Sequence, residues 1–326
     1  MTARRSDREG MALLTVLLLV AVMSVVAVAV LDDVRFSIRR ASNSDIQDRA
    51  QDFASGAEAL AQVQIERLVG QQDGRTAIRP EWNGRPVTFP VDGGLVTAVL
   101  RDGQGCFNLN SVVEGQGEDL MARPQGVEQF VALGRAVGLP ESKMRTIADS
   151  LVDWLDADPA PRPLGAEDGA YAGLAVPYRT GGVLLAEVTE LRAVRGVDSA
   201  TYARLRPFVC ALPTARLTPL NANTLTVDQA PLLMSLGPIS LQTARAVIQA
   251  RPADGWSSGD AFWNQPLLRT APVPADAREA VGVTTRFFSL RIDVRIGDFE
   301  AVRTALIQVA PTGAAHTVIQ RWTPDE

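Results

Sequence analysis

MALLTVLLLVAVMSVVAVAVL, residues 11–31, is the stretch on which the rest of the chain has to be read. Thr15 and Ser24 are its only polar members. About 20 apolar residues at about 1.5 Å of helical rise each match the hydrocarbon thickness of a bilayer. A cleavable secretory signal is the other reading, but it carries a shorter apolar core and then a small-x-small cleavage site. Here the run passes straight into Asp32, Asp33, Arg35, Arg39 and Arg40, so a retained anchor is expected. Before the span stands a polar leader, MTARRSDREG, ending at Gly10. Its Arg4, Arg5 and Arg8 favour a cytoplasmic N-terminus, while Arg39 and Arg40 on the far side pull against that orientation.

The helix is expected to continue past the membrane. Val34, Ile38, Ala41, Ile46, Ala50, Phe53, Ala57, Leu60, Gln64 and Leu68 recur at steps of mostly three and four, with no proline, no glycine before Gly56, and Gly70 as the stop. This second half is amphipathic and needs a sheet or another subunit to cover its apolar stripe.

Beyond residue 70 the patterning changes twice. Over 71–124, Pro86-Val87-Thr88-Phe89 and Leu95 to Leu100 read as strands, with Gly93-Gly94 as the turn and Cys106-Phe107-Asn108-Leu109-Asn110 as a third strand. Over 125–284 the period becomes helical. Helices are expected around Val127 to Val137, from Pro140 to Leu155, and over 187–194, 199–205, 228–236 and 240–250. Residues 285–326 return to strands as a three-stranded antiparallel meander. Strands, a helical block and strands again imply an α+β chain with a helical domain inserted into the sheet domain.

The net charge of −5 leaves no global basic field for nucleic acid. One histidine, His316, and two cysteines are too few for a zinc site of Cys and His ligands. A Ser–His or Cys–His catalytic pair would have to use His316, which lies among strand-like residues. An enzyme is therefore not expected.

A charged leader ending in glycine before an apolar helix that runs on into an amphipathic one resembles the type IV pilins and pseudopilins. Thr15 stands where mature chains of that family normally carry glutamate, their fifth residue. A carboxylate at membrane depth is tolerable only when paired, there with a neighbouring subunit's terminal amine, so a chain without it suits the end of a fibre. Further motifs extend the likeness over nearly the whole chain: Cys106-Phe107-Asn108-Leu109-Asn110, Asp153-Trp154-Leu155-Asp156-Ala157-Asp158, Gly165-Ala166-Glu167-Asp168 through Tyr171, Pro177-Tyr178-Arg179, Glu187-Val188-Thr189-Glu190-Leu191 and Leu220-Asn221-Ala222-Asn223-Thr224. Together they resemble the K-type minor pseudopilins of type II secretion, the general secretion pathway protein K family.

That resemblance implies a pseudopilin fold, with the long helix packed on an antiparallel sheet. It implies cleavage by a prepilin peptidase between Gly10 and Met11, methylation of the new N-terminus, and a place at the tip of the pseudopilus. The implied partners are the I- and J-type minor pseudopilins, the major pseudopilin and the inner-membrane secretion platform. The implied location is the inner membrane, single-pass, with the C-terminal domain periplasmic. Two other functions are weighed beside it: a pilus or DNA-uptake minor pilin, and a membrane-tethered enzyme using the acidic loop.

Asp153, Asp156, Asp158, Glu167 and Asp168 surround a turn containing Pro159, Pro161 and Pro163. Hard oxygen ligands on a stiff loop suit calcium, and the resemblance strengthens that assignment. A helix end followed by a solvated acidic loop is the plain alternative. Cys106 and Cys210 each abut a strand-like segment, and in an oxidising periplasm they are expected to pair; two buried thiols are the other possibility. Segments around Gly196 and Gly237 have helix-hairpin-helix character, read as structural because Pro238 removes a donor and the surroundings are not basic. Trp154, Trp256 and Trp263 fit either core packing or an interface.

Overall fold

The computed structural model describes residues 3–70, 74–78, 82–117, 119–269 and 271–323. Helix α1 spans Ala3–Gly70, about 100 Å at the usual rise. It begins inside the leader and passes through Gly10, although the first two residues and the leader's side chains lie outside the described residues. Between Met11 and Gly70 lies the one helix among the described residues long and apolar enough to cross a membrane. Its first half buries nothing: Met11, Leu14, Leu18 and Val25 are all exposed.

The second half packs on a sheet by a face that shares Ala50, Ala57 and Leu68 with the expected stripe and departs from it at Leu60 and Gln64. Ala50, Ala54, Ala57, Ala61, Ile65 and Leu68 are buried, whereas Leu60 and Gln64 face outward. The cause is size. Four alanines let the backbone lie close against the strands, so the buried stripe is marked by small residues and the bulkier Leu60 and Val63 remain exposed.

The sheet is antiparallel in the order β1 (Pro86–Val91), β2 (Gly94–Asp102), β3 (Phe287–Ile296), β4 (Phe299–Val309) and β5 (Ala315–Arg321). Period-two alternation builds it: in β3, Phe288, Leu290, Ile292, Val294 and Ile296 point at α1. The first turn is Asp92-Gly93 rather than Gly93-Gly94, because Gly94 already pairs in the ladder opposite Val91. Gly93 takes a φ of 78°, as a two-residue hairpin loop favours.

Between β2 and β3 the chain leaves to form the helical domain: α2 (Pro124–Ala136), α3 (Glu141–Leu155), α4 (Asp168–Ala172), α5 (Ser199–Leu205), α6 (Ala230–Met234), α7 (Leu241–Gln249), α8 (Gly259–Trp263) and α9 (Ala275–Glu279). The short helix expected over 187–194 is a 3-10 helix, Val188–Ala193, and the expected 228–236 helix begins as one. The departure point lies earlier than residue 125. Phe107, Leu109, Val112 and Val113 already belong to the helical core. The expected third strand is two residues long and lies outside the five-stranded sheet, with Phe107–Asn108 running parallel to Val209–Cys210.

That short pairing occurs twice. Leu220–Asn221 runs parallel to Val281–Gly282 in the same way. In both cases the first asparagine accepts from the backbone two residues on (Asn108 from Asn110 N, Asn221 from Asn223 N), and a hydroxyl three residues on returns to its carbonyl. The second asparagine then clamps an incoming loop: Asn110 holds Leu185, and Asn223 holds Trp256. A helical hairpin follows each, α2–α3 and α6–α7. The helical domain is one supersecondary unit used twice.

A polar knot joins the two domains. Half-buried Asp102, at the end of β2, accepts from Thr224 (2.5 Å) and Thr285 (2.6 Å), and Gln104 donates to the carbonyls of Pro219 and Thr284. Burial raises the Asp102 pKa despite these donors. At the far edge, Arg321 of β5 pairs with Glu187 at 2.8 Å. Between helix and sheet, buried Arg303 meets buried Glu58 at 2.6 Å.

Candidate functional site

The acidic segment starts where α3 stops. Asp153 sits in its last turn, wholly buried, and Asp156 is its C-cap. The prolines at 159, 161 and 163 keep the following stretch out of helix, and the chain returns as Glu167 opens α4. Ligand oxygens of Asp153, Asp156 and Glu167 lie within 4.8 Å of one another. Backbone N–H of Arg162 donates to both Asp153 oxygens at 3.2 Å. The Arg162 guanidinium pairs with Asp149 at 2.9 Å and favours ionisation of Asp153 and Asp156 only from a distance; among the described residues no ion pair reaches the trio. Asp156 Oδ1 and Glu167 Oε1 are buried with no hydrogen-bond partner. A Cβ on Gly165 would stand 1.8 Å from Asp153 Oδ2, so only glycine lets the loop approach this carboxylate.

The electrostatics follow from this crowding. Burial, and then the neighbouring carboxylates Asp158 and Asp153, push Asp156 up to about 6. Burial, followed by Asp153 and Asp156, pushes Glu167 up to about 7. Asp153 is likewise raised by burial, against the Arg162 and Ala166 backbone donors. Three clustered carboxylates, two of them with an orphaned buried oxygen and none in an ion pair among the described residues, fit the donor chemistry of a hard divalent cation.

The other two acidic residues do not join them. Asp158 is exposed and accepts from Ala160 N at 2.8 Å in a local turn. Asp168 turns outward to the Thr180 N–H and hydroxyl, at 2.9 and 3.0 Å, and those donors lower its pKa. Sequence reading missed what folds the loop over the trio. Trp154, Tyr171 and Tyr178 pack as one ring cluster, with centroids 5.2 to 6.0 Å apart, and Tyr178 donates to Ala193 O at 2.9 Å. All three residues stood in quoted motifs, but nothing in their spacing told that they touch.

Cys106 and Cys210 are bonded, with Cα atoms 5.8 Å apart, stapling the first of the two parallel pairs. Trp154 and Trp263 are buried, and Trp256 packs edge-on against Phe262. The hairpin turn at Gly196 faces inward, where a Cβ would meet Ile147 at 3.1 Å.

The two copies of the helical unit coincide with two family models, both described as type II secretion system protein K, which match residues 105–214 and 220–284. Similar full-length proteins bear the same description. One from Pectobacterium carotovorum is 34% identical over 97% of both chains, and one from Aeromonas hydrophila is 35% identical over 90% of both. The chain belongs to the type II secretion system protein K family. The relative from Pseudomonas aeruginosa is 34% identical across 95% of this chain and 91% of its own. Among solved structures, a chain of the GspK-GspI-GspJ complex from enterotoxigenic Escherichia coli superposes with a TM-score of 0.77 at 31% identity, covering 87% of this chain and 99% of that one. The α+β architecture, with its long N-terminal helix, antiparallel sheet and helical domain, is that of this family. Its members are minor pseudopilins, structural components of secretion machinery, and one exposed apolar helix fits a single-pass membrane anchor.

Proposed function

We propose that this chain caps the tip of the type II secretion pseudopilus and initiates its assembly for export of folded proteins across the outer membrane. The observation that carries this reading is α1 itself: a fully exposed apolar half continuous with a half fixed to the sheet, and Thr15 where a carboxylate would be needed for pairing inside a shaft. The Thr15 hydroxyl is satisfied within its own helix, by the carbonyls of Ala12 at 2.9 Å and Met11 at 3.2 Å. It asks nothing of a neighbour.

In this reading the chain sits in the inner membrane with its N-terminus cytoplasmic and its folded domains periplasmic. Prepilin peptidase cuts after Gly10 and methylates Met11. Exposed Leu60 and Val63, on the side of α1 away from the sheet, continue the apolar surface toward neighbouring helices. The similarity to a GspK-GspI-GspJ complex supports I- and J-type minor pseudopilins as the partners, with the major pseudopilin and the inner-membrane platform beyond them. Calcium bound by Asp153, Asp156 and Glu167 supplies the missing positive charge and fixes the loop above α3. Mass spectrometry of the protein from membranes tests the processing. A chain beginning at methylated Met11 is expected; an intact Met1, or loss of the whole apolar run, would reject it.

A further inference from the structure

Two clefts, of 710 and 580 Å³, adjoin where the sheet domain meets the helical domain, and Pro213, Thr214 and Arg216 line both. In a chain of net charge −5, no Asp or Glu lines either cleft among the described residues. Three arginines do. Arg123 is partly neutralised, pairing with Glu114 at 3.4 Å and donating to Ala215 O at 3.2 Å. Arg216 and Arg286 are different. Both are exposed, and among the described residues neither guanidinium has an acidic or hydrogen-bonding partner.

Their backbones, by contrast, are held. Arg216 N donates to Thr214 Oγ1 at 3.1 Å, and Arg286 N donates to Gln104 Oε1 at 2.7 Å. Two cationic heads thus stand on fixed bases beside the adjoining clefts. Beside them the first cleft offers apolar wall from Leu120, Val183 and Leu184, with Val183 60% exposed. Guanidinium forks select planar carboxylates, and the apolar wall selects a side chain that leaves water.

We propose that these adjoining clefts bind an extended acidic peptide segment of a partner protein, its carboxylates on Arg216 and Arg286 and an apolar side chain against Leu120, Val183 and Leu184. Two free arginines suit a short segment with a few carboxylates rather than a nucleic-acid backbone, because a polyphosphate is held by many cations. The site is distinct from the acidic trio and does not depend on the assembly role.

The test uses the full chain in detergent micelles and a fluorescein-labelled peptide of glutamates interrupted by leucines, read by anisotropy. Saturable, salt-sensitive binding is expected, weakened about tenfold by either Arg216→Glu or Arg286→Glu and abolished by both. Arg245→Glu on α7, which lines neither cleft, should leave it unchanged. The variants' melting temperatures should match the parent's, because neither guanidinium has a partner to lose. No binding, equal binding by the double variant, or equal binding of a glutamine-for-glutamate peptide would overturn the proposal. So would tighter binding of a single-stranded oligonucleotide at the same arginines.

Discussion

At the scale of single residues, the acidic trio makes a claim that pH can test. Burial and mutual repulsion hold Asp156 near about 6 and Glu167 near about 7, above the ordinary carboxylate range. The metal-free fold therefore keeps protons that the unfolded chain releases. Its stability is fully present below the unfolded carboxyl pKa and is lost as pH rises through the folded values. Melting of the chelator-treated protein should fall between about pH 4 and about pH 7, and added calcium should raise it most at the upper end, where the ligands are ionised. A calcium response independent of pH would contradict this. Asp156→Asn should abolish the response while leaving the metal-free protein as stable or more so, because one repelling charge is gone; differential scanning calorimetry with and without calcium reads both. Proximity in sequence exposed all five acidic residues. It did not show that Asp168 is taken by Thr180, or that Asp158 closes its own turn, because those choices depend on where the chain returns after the prolines.

At the scale of elements, the repeated unit yields a prediction from geometry. In the first copy Cys106 and Cys210 bridge the parallel pair, closing a separation of 104 residues. The residues in the same register of the second copy are Pro219 and Gly282, and a Cβ on Gly282 would lie 3.5 Å from that of Pro219. That falls in the range about 3.5–4.5 Å that disulfides span. Pro219→Cys with Gly282→Cys should form a second bond on oxidation, seen as a non-reducing gel shift together with a mass loss of two hydrogens; persistent free thiols would show that the two copies differ in shape. The echo between Asn108-Leu109-Asn110-Ser111 and Asn221-Ala222-Asn223-Thr224 was visible in the sequence. The parallel pairing was not, since a strand of two residues carries no periodicity. The C-terminal meander was legible for the opposite reason: unbroken alternation from Phe288 to Ile296 in β3 admits one reading. The stripe on α1 was legible in part: Ala50, Ala57 and Leu68 are buried as expected, but Ala54, Ala61 and Ile65 complete the face in place of Leu60 and Gln64, because small alanines carry little apolar signal.

At the scale of the whole molecule, the chain is a rod carrying a head. The apolar half of α1 stands clear of everything, the alanine face fixes the other half to the sheet, and the Asp102 and Gln104 knot holds the helical domain on the sheet's far end. A body this large projecting from one end of the rod suits a terminal subunit better than one that repeats along a shaft. The missing carboxylate at position 15 points the same way. The most direct measurement is where the chain lies in an assembled fibre. Filaments assembled with the major pseudopilin and this chain, tagged at its C-terminus and labelled with gold, should carry label at one end only. Label spaced along the shaft would contradict the account.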